Sequence, residues 1–349
     1  NQRRWQAMTA SLCADTGILA SKAWLMWSEA TLMTWSFLGN HYKVEDFLGE
    51  GVFGIVAKCR DTKTNQAVAI KVNKNRTDIL EQAKKEIFIL EQLQRLDPDA
   101  ANIVQWNGFF LDREQVCLKF ELLDQCLWNY IGAPNNRRLP ISEVRPILGQ
   151  LTNVLSHLGS LGIVHADLKP GNIMVVKRYE SPVKVRLIDF GLACPASAVM
   201  PGDRVGTVGY SAPEVMLGLP YNEACDMWSL GLVAVELVTG VPLYPGKKYY
   251  DPPDHVLDPG YESLETRYIK LTCLDDIEQM FRRGPEDGQR LFVSLIKEML
   301  ALDAHQRITP SQVLRHPFFN PGLSNSLLHA HETVFGDATN LAMTCTVPS

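Results

Sequence analysis

The chain has 349 residues, 46% apolar and 21% charged, with a formal net charge of −5. That length can bury a large core, that balance is ordinary for a folded soluble protein, and the mild acidity leaves no electrostatic footprint for nucleic acid or an anionic membrane surface. Eight scattered cysteines, with no Cys-x-x-Cys pair and no His cluster at zinc spacing, read as reduced thiols of cytosol or nucleus. The chain begins with Asn1 and not Met, so a fragment or a processed product is the expectation.

Residues 1–40 form an N-terminal extension that carries little pattern. Three Trp and several Leu and Met lie between Ile18 and Leu38, but Lys22 and Glu29 interrupt the run. A membrane span needs about 20 mostly apolar residues with few charges, so an amphipathic helix packed on the domain, or an ill-ordered extension, is the reading here. Arg3 and Arg4 before an apolar run mimic a signal peptide, yet no clean small-residue cleavage site follows.

Residues 41–73 read as β. Gly49-Glu-Gly51-Val-Phe-Gly54 leads into a β-branched strand, a polar turn at Thr62–Asn65 and a third strand, Ala67-Val-Ala69-Ile-Lys71-Val. Three glycines at this spacing also open dinucleotide sites, but those place a helix directly after the last glycine. A strand-turn-strand instead suits a Gly-rich hairpin over the phosphates of ATP, where missing Cβ atoms let backbone amides approach the oxygens. Residues 77–96 then show Ile79, Ala83, Ile87, Leu90 and Leu93 at helical spacing, with Thr77 or Asp78 as the expected cap. Glu86 falls within that apolar stripe. A carboxylate facing inwards needs a partner, and Lys71 is the natural one, as in the ion pair that aligns the ATP tail. Pro98 marks the exit from this helix. Two strands follow, Ile103 to Phe110 and Val116 to Leu123. Glu121 to Leu123 is the expected extended edge for adenine, with Phe120 at the back of its slot or in simple core packing.

A loop-rich stretch at 124–140 leads into a second, helical half. A helix over 142–161 carries Val144, Ile147, Leu148, Leu151, Leu155 and Leu158. It runs into the most informative stretch of the chain: His165-Ala166-Asp167-Leu-Lys169-Pro-Gly-Asn172, followed by Val-Arg-Leu-Ile-Asp189-Phe190-Gly191. Phosphoryl transfer needs a carboxylate to orient a hydroxyl, a cation for the γ-phosphate, and an amide plus a carboxylate for magnesium. Order, spacing and apolar flanks all fit the catalytic and metal-binding loops of a protein kinase. After Gly191 comes a loop of about 20 residues, long enough to suggest function, ending at Gly206-Thr207-Val-Gly-Tyr210-Ser211-Ala-Pro-Glu214. Residues 226–240 read as a buried helix whose Asp226 can brace the catalytic loop backbone. Helices resume near 274–283 and 287–302, Arg307 is placed to pair with Glu214, and 321–349 are a weakly patterned tail.

Residues 41–319 resemble a eukaryotic protein kinase throughout. Within that superfamily, His165-Ala-Asp-Leu-Lys-Pro, Phe120-Glu-Leu-Leu, Leu217-Gly-Leu-Pro-Tyr, Asp226-Met-Trp-Ser-Leu-Gly, Pro242-Leu-Tyr-Pro-Gly, Cys273-Leu-Asp-Asp-Ile and Arg307-Ile-Thr-Pro with His316-Pro-Phe-Phe look like the homeodomain-interacting protein kinases. The resemblance implies a two-lobed α+β fold, with a β-rich lobe at 41–123 and a larger helical lobe at 124–320. It implies ATP and Mg2+ as cofactors, transfer to Ser/Thr of protein substrates, transcription regulators as partners, and nuclear or cytoplasmic residence; charge and composition add the expectation of no membrane and no direct nucleic-acid binding, and a monomer is expected. By the same resemblance Asp167 orients the substrate hydroxyl, Lys169 and Thr207 complete the catalytic set, and Asn172 and Asp189 hold magnesium. Lys71 with Glu86 aligns the ATP tail, Gly49, Gly51 and Gly54 cover the phosphates, and Leu48, Val56, Ala69, Phe120, Glu121, Leu123 and Met174 surround the adenine.

The sequence departs from the family at several points. Arg204 stands where the family has a phosphorylatable Tyr, Ala166 where most kinases have Arg, Ser211 where an Arg favours proline after the target, and Gly171 where Glu is usual. The expectation is an activation loop held without phosphorylation, with Thr207 hydrogen-bonding near Asp167 and Lys169. Residues 247–267 are shorter than the family's segment before Cys273. An active kinase and a catalytically weak kinase-like scaffold are the two function classes, and the full set of chemical groups points to the enzyme.

Overall fold

The structure, a computed structural model, describes residues 37–132, 138–244, 273–281 and 286–320. The readings made for the N-terminal run up to residue 36, for 247–267 and for the tail 321–349 lie outside the described residues. The chain divides into two compact units. One runs through Pro98 and includes Val104–Leu123; the other comprises Asp99–Ile103 and the residues from Asp124 onward.

The first unit is a six-stranded antiparallel sheet with one helix. Its strands are β1 (Phe37–Leu38), β2 (Tyr42–Glu50), β3 (Gly54–Asp61), β4 (Ala67–Asn73), β5 (Trp106–Asp112) and β6 (Gln115–Glu121), in the order β1-β2-β3-β4-β6-β5. Alternation decides the two faces. Ile55, Ala57 and Cys59 of β3, Val68, Ile70 and Val72 of β4, and Cys117 of β6 form one core with Leu38 and Tyr42. Burying each large aliphatic side chain there contributes about 1.5–3 kcal/mol. The opposite face carries Val56, Ala69 and Lys71, with Val56 paired to Lys71 and Ala69 paired to Phe120. Helix α1 (Thr77–Leu93) buries Ile79, Ala83, Glu86, Ile87, Ile89, Leu90 and Leu93.

The second unit is mainly helical. In chain order it contains α2 (Pro98–Ala101, whose first residue belongs to the other unit), β7 (Gln125–Cys126), α3 (Leu127–Gly132), α4 (Ile141–Ser160), β8 (Ile163–Val164), β9 (Ile173–Val175), β10 (Val185–Leu187), β11 (Cys194–Pro195), α5 (Pro213–Met216), α6 (Ala224–Thr239), α7 (Asp276–Met280), α8 (Glu286–Met299) and α9 (Pro310–Val313). Helix α4 has one apolar face; α6 is buried all round, from Cys225 to Thr239. A helix that apolar belongs at the centre of its unit, and its four polar residues, Asp226, Ser229, Glu236 and Thr239, are each hydrogen-bonded.

Several local expectations need correction. The N-cap of α1 is Arg76, with no side-chain cap, so Thr77 and Asp78 lie inside the first turn. Asp78 still supplies negative charge where the helix dipole favours it. Ile103 does not begin β5; it bridges to Leu187 within the second unit. Helix α1 ends at Leu93, and Pro98, past that exit, also starts a short helix, because proline fits the first helical turn. The entry at 124–140 is less irregular than its composition suggests: Asp124 accepts from Arg178, and β7 and α3 form directly after it. Phe37 and Leu38, assigned to the extension, pair with β2.

Candidate active site

The first unit brings together the residues expected around the nucleotide tail. Lys71 Nζ donates to both carboxylate oxygens of Glu86 at 2.9 Å. Glu86 is 2% exposed and Lys71 12%, so the pair sits where a lone carboxylate would be strongly disfavoured. The Lys71 ammonium also lies 5.7 Å from the centre of the Phe53 ring. The three glycines divide by role. A Cβ on Gly54 would sit 2.2 Å from the Val72 carbonyl oxygen, so glycine there is demanded by the packing of β3 on β4. Gly49 and Gly51 have nothing within 4 Å of a built Cβ, which leaves open space at the turn. Lys74 ties that turn to the sheet through Glu50 at 2.9 Å and the Gly51 carbonyl at 3.3 Å. Leu48 is exposed and Val56, Ala69 and Phe120 are half-buried. Glu121 closes β6, its carboxylate taking the Gln105 N–H at 2.7 Å, and Leu123 is the last residue of the unit.

In the second unit the residues expected to be catalytic converge on one carboxylate. Thr207 Oγ1 donates to Asp167 Oδ1 at 2.7 Å, and Lys169 Nζ donates to Asp167 Oδ2 and to Thr207 Oγ1, each at 2.8 Å. Asn172 Nδ2 donates to the Asp167 backbone oxygen at 2.8 Å and to Oδ2 at 3.0 Å. Asp167 is thus held by three side chains and is 9% exposed. Because Nδ2 of Asn172 is committed, its Oδ1 is the atom left for a cation. Ile188 N donates to Asn172 O at 2.9 Å, which places Asn172 beside the strand end that carries Asp189. Asp189 has the left-handed φ of +59°, and its carboxylate takes the Gly191 N–H at 3.4 Å. Met174 lies on β9, half-buried.

The loop itself is braced from behind. Asp226 Oδ2 takes the His165 N–H at 2.7 Å and Oδ1 takes the Ala166 N–H at 2.9 Å. Burial pushes the Asp226 carboxyl up, and the two N–H donors oppose that shift. His165 Nε2 meets the Ile188 carbonyl at 3.0 Å while Nδ1 accepts the Asp167 N–H at 3.3 Å. This pattern assigns the ring proton to Nε2. The same ring meets Phe190 edge-on at 5.1 Å, linking the two motifs.

Three features went unread in the sequence. Ala166 adopts φ +66°, a left-handed residue that is not glycine. Gly206, φ +83°, lies against it, and a Cβ there would strike the Ala166 carbonyl oxygen at 2.4 Å. Tyr210 donates to Glu236 Oε2 at 2.6 Å. Only the last left a trace, an acid inside the apolar run of α6. Arg307, anticipated as a partner of Glu214, does pair with it, through two hydrogen bonds of 2.7 and 3.1 Å.

Known proteins are similar to this chain in sequence. The family model described as Protein kinase domain matches residues 42–319. Homeodomain-interacting protein kinase 2 of Mesocricetus auratus is 37% identical over 330 residues, covering 80% of this chain and 28% of that protein. Homeodomain-interacting protein kinase 4 of Homo sapiens is 34% identical over 353 residues, covering 84% of this chain and 56% of that protein. The chain therefore spans little more than a quarter of the length of the first of these relatives. With the match running from β2 to just past α9, the chain belongs to the protein kinase domain family, has its two-lobed α+β fold, and resembles the homeodomain-interacting protein kinases.

Proposed function

We propose that this protein is a serine/threonine kinase that transfers the γ-phosphoryl group of Mg-ATP to hydroxyls of proteins. The observation that carries the reading is the Asp167 carboxylate, held at once by Lys169, Thr207 and Asn172. Asp167 takes the proton of the substrate hydroxyl as its oxygen bonds to the γ-phosphorus and the bond to the bridging oxygen of the departing ADP breaks. Lys169 balances charge on the moving phosphoryl group. Lys71, oriented by Glu86, aligns the α- and β-phosphates, and the open backbone at Gly49 and Gly51 receives their oxygens. Leu48, Val56, Ala69, Phe120 and Leu123 provide apolar contact for adenine, with the backbone of Glu121 to Leu123 as its hydrogen-bonding edge.

Asn172 Oδ1 and the Asp189 carboxylate are hard oxygen donors, the kind magnesium prefers. Among the described residues no group of three or more His, Cys, Asp or Glu side chains is placed to hold a metal ion, so phosphate oxygens would complete the coordination. Magnesium, when bound, neutralises charge on the triphosphate. The relatives' name, homeodomain-interacting, extends the proposal to transcription regulators as partners, met in nucleus or cytoplasm.

Labelled γ-phosphate transfer from Mg-ATP to a basic protein substrate tests the reading, with Asp167→Asn compared alongside and phosphoamino-acid analysis of the product. Phosphoserine or phosphothreonine that disappears in the variant is the expected result. Transfer no greater than in Asp167→Asn, from folded protein that still binds Mg-ATP, would replace the enzyme with a nucleotide-binding scaffold.

A further inference from the structure

Arg204 is the feature of the second unit that the catalytic reading leaves unused. It lies three residues before Thr207, with its side chain exposed. Among the described residues it makes no hydrogen bond and no ion pair. Its chain neighbour Asp203 forms no ion pair with it; that carboxylate takes the Met200 N–H at 2.9 Å. The ground around it is fixed. Gly202 N donates to Gly218 O at 2.9 Å, and Arg204 Nε lies 3.8 Å from the point where a Cβ on Gly218 would stand. Arg204 Nε thus lies near the backbone at Gly218, whose chain neighbours Leu217 and Leu219 are exposed. An exposed guanidinium without a bonded partner among the described residues is a fork-shaped donor open to an acceptor.

Position gives that donor a purpose. Gly206 is seated under the Ala166 carbonyl and Thr207 is bonded to Asp167, so the segment that carries Arg204 is registered to the reacting carboxylate. Three extended residues reach about 10 Å. A substrate chain whose hydroxyl meets Asp167 brings its second and third neighbours the same distance away. Ser211, close by in the segment, spends its hydroxyl on the Thr207 carbonyl at 3.0 Å and the Val205 carbonyl at 3.3 Å and adds no charge.

We propose that Arg204 is a specificity-determining residue that receives an anionic side chain of the substrate, carboxylate or phosphate, within about three residues of the hydroxyl that is phosphorylated. The proposal rests on the kinase reading above and names the substrate class for the same site.

The test uses the full chain and a set of peptides with one target Ser. Ala, Lys, Asp, Glu or phosphoserine is placed at each position up to three residues on either side. The readout is kcat/KM for each peptide relative to its Ala version, in wild type, Arg204→Ala and Arg204→Glu. At one or more positions wild type should favour an acid over Ala by about fivefold, the scale of a partly exposed ion pair. The preference should fade as salt rises, vanish in Arg204→Ala, and turn toward Lys in Arg204→Glu. Phosphoserine favoured over Glu at that position would make phosphate the ligand; parity would make it a carboxylate. Ratios that are the same in all three proteins, or no acidic preference in wild type, overturn the proposal while leaving the kinase standing. No transfer to any peptide above that of Asp167→Asn overturns the kinase reading and this inference with it.

Discussion

Removing the Thr207 hydroxyl tests the geometry around Asp167 most directly. Thr207→Val keeps the shape of the side chain and deletes one oxygen, the atom that donates to Asp167 Oδ1 at 2.7 Å and accepts from Lys169 Nζ at 2.8 Å. Asp167 is 9% exposed, so water replaces that donor poorly. A hydrogen bond to a charged group contributes about 1.5–3 kcal/mol. If Thr207 does its work by holding the carboxylate in line with the incoming hydroxyl, that energy is lost in the transition state, and kcat should fall about 10- to 150-fold. Lys71 and Glu86 are untouched by the change, so KM for ATP should stay within about twofold, as expected when the lost interaction is made only in the transition state. Steady-state kinetics at saturating Mg-ATP gives both constants, and Thr207→Ser, which restores the hydroxyl, should recover most of the rate. A Thr207→Val enzyme within twofold of wild type, or a Thr207→Ser enzyme as slow as Thr207→Val, would refute the assignment.

Two further outcomes concern buried charge. Arg307, with a fully buried guanidinium bonded to Glu214 and to the carbonyls of Ala224 and Ala301, should cost about 3–5 kcal/mol when replaced by Met, because Glu214 is left unpaired. Urea unfolding should show the double variant with Glu214→Gln to be less destabilised than the sum of the single changes. Burial pushes the Glu236 carboxyl up to about 7 from its ordinary 4.5, against the hydrogen bond from Tyr210. A raised folded-state value means stability that is present below pH 4.5 and lost as pH rises to about 7. Wild type should therefore lose stability relative to Glu236→Gln across that window and run parallel to it above; a constant difference from pH 4 to 8 in urea midpoints would count against the burial argument.

How much of this could be read beforehand depends on the range of the interaction involved. Lys71 and Glu86 were legible because a strand period and a helix period each point one charged residue inward, and two inward charges of opposite sign need each other. Asp167, Lys169 and Asn172 were legible because their spacing along one loop is itself the geometry. The bracing of that loop was harder. Asp226 was visible as an acid near the start of an apolar helix, but the left-handed turn at Ala166 and the seat of Gly206 beneath it come from backbone meeting backbone 40 residues apart. No periodicity encodes such a contact, and glycine in a long loop has many ordinary reasons to occur. The N-cap of α1 failed for a local reason: two side chains able to cap stood side by side, and the helix began one residue earlier than either choice allowed.

The activation segment raises the question of what fixes it in place. A phosphate would need a hydroxyl to carry it and a cation to receive it. Between Gly191 and Gly206 the only hydroxyl is Ser197, which is exposed; the one cation of that stretch is Arg204, seven residues further on, and Ala166 supplies no arginine beside Asp167. The contacts that do hold the segment are uncharged or internally paired. Cys194 pairs with Val164 in a short antiparallel ladder, Gly202 bonds to Gly218, Gly206 packs under Ala166, Ser229 donates to the Tyr210 carbonyl at 2.8 Å, and Tyr210 reaches Glu236. A segment fastened at four points along its length gains little from one more anion. Phosphatase-treated protein and Ser197→Ala should both keep kcat within about twofold of untreated wild type, the resolution at which a missing charge-assisted hydrogen bond becomes visible. A tenfold loss in either, matched by a phosphate on Ser197 in the mass spectrum of the untreated protein, would show that these contacts hold the segment only after modification.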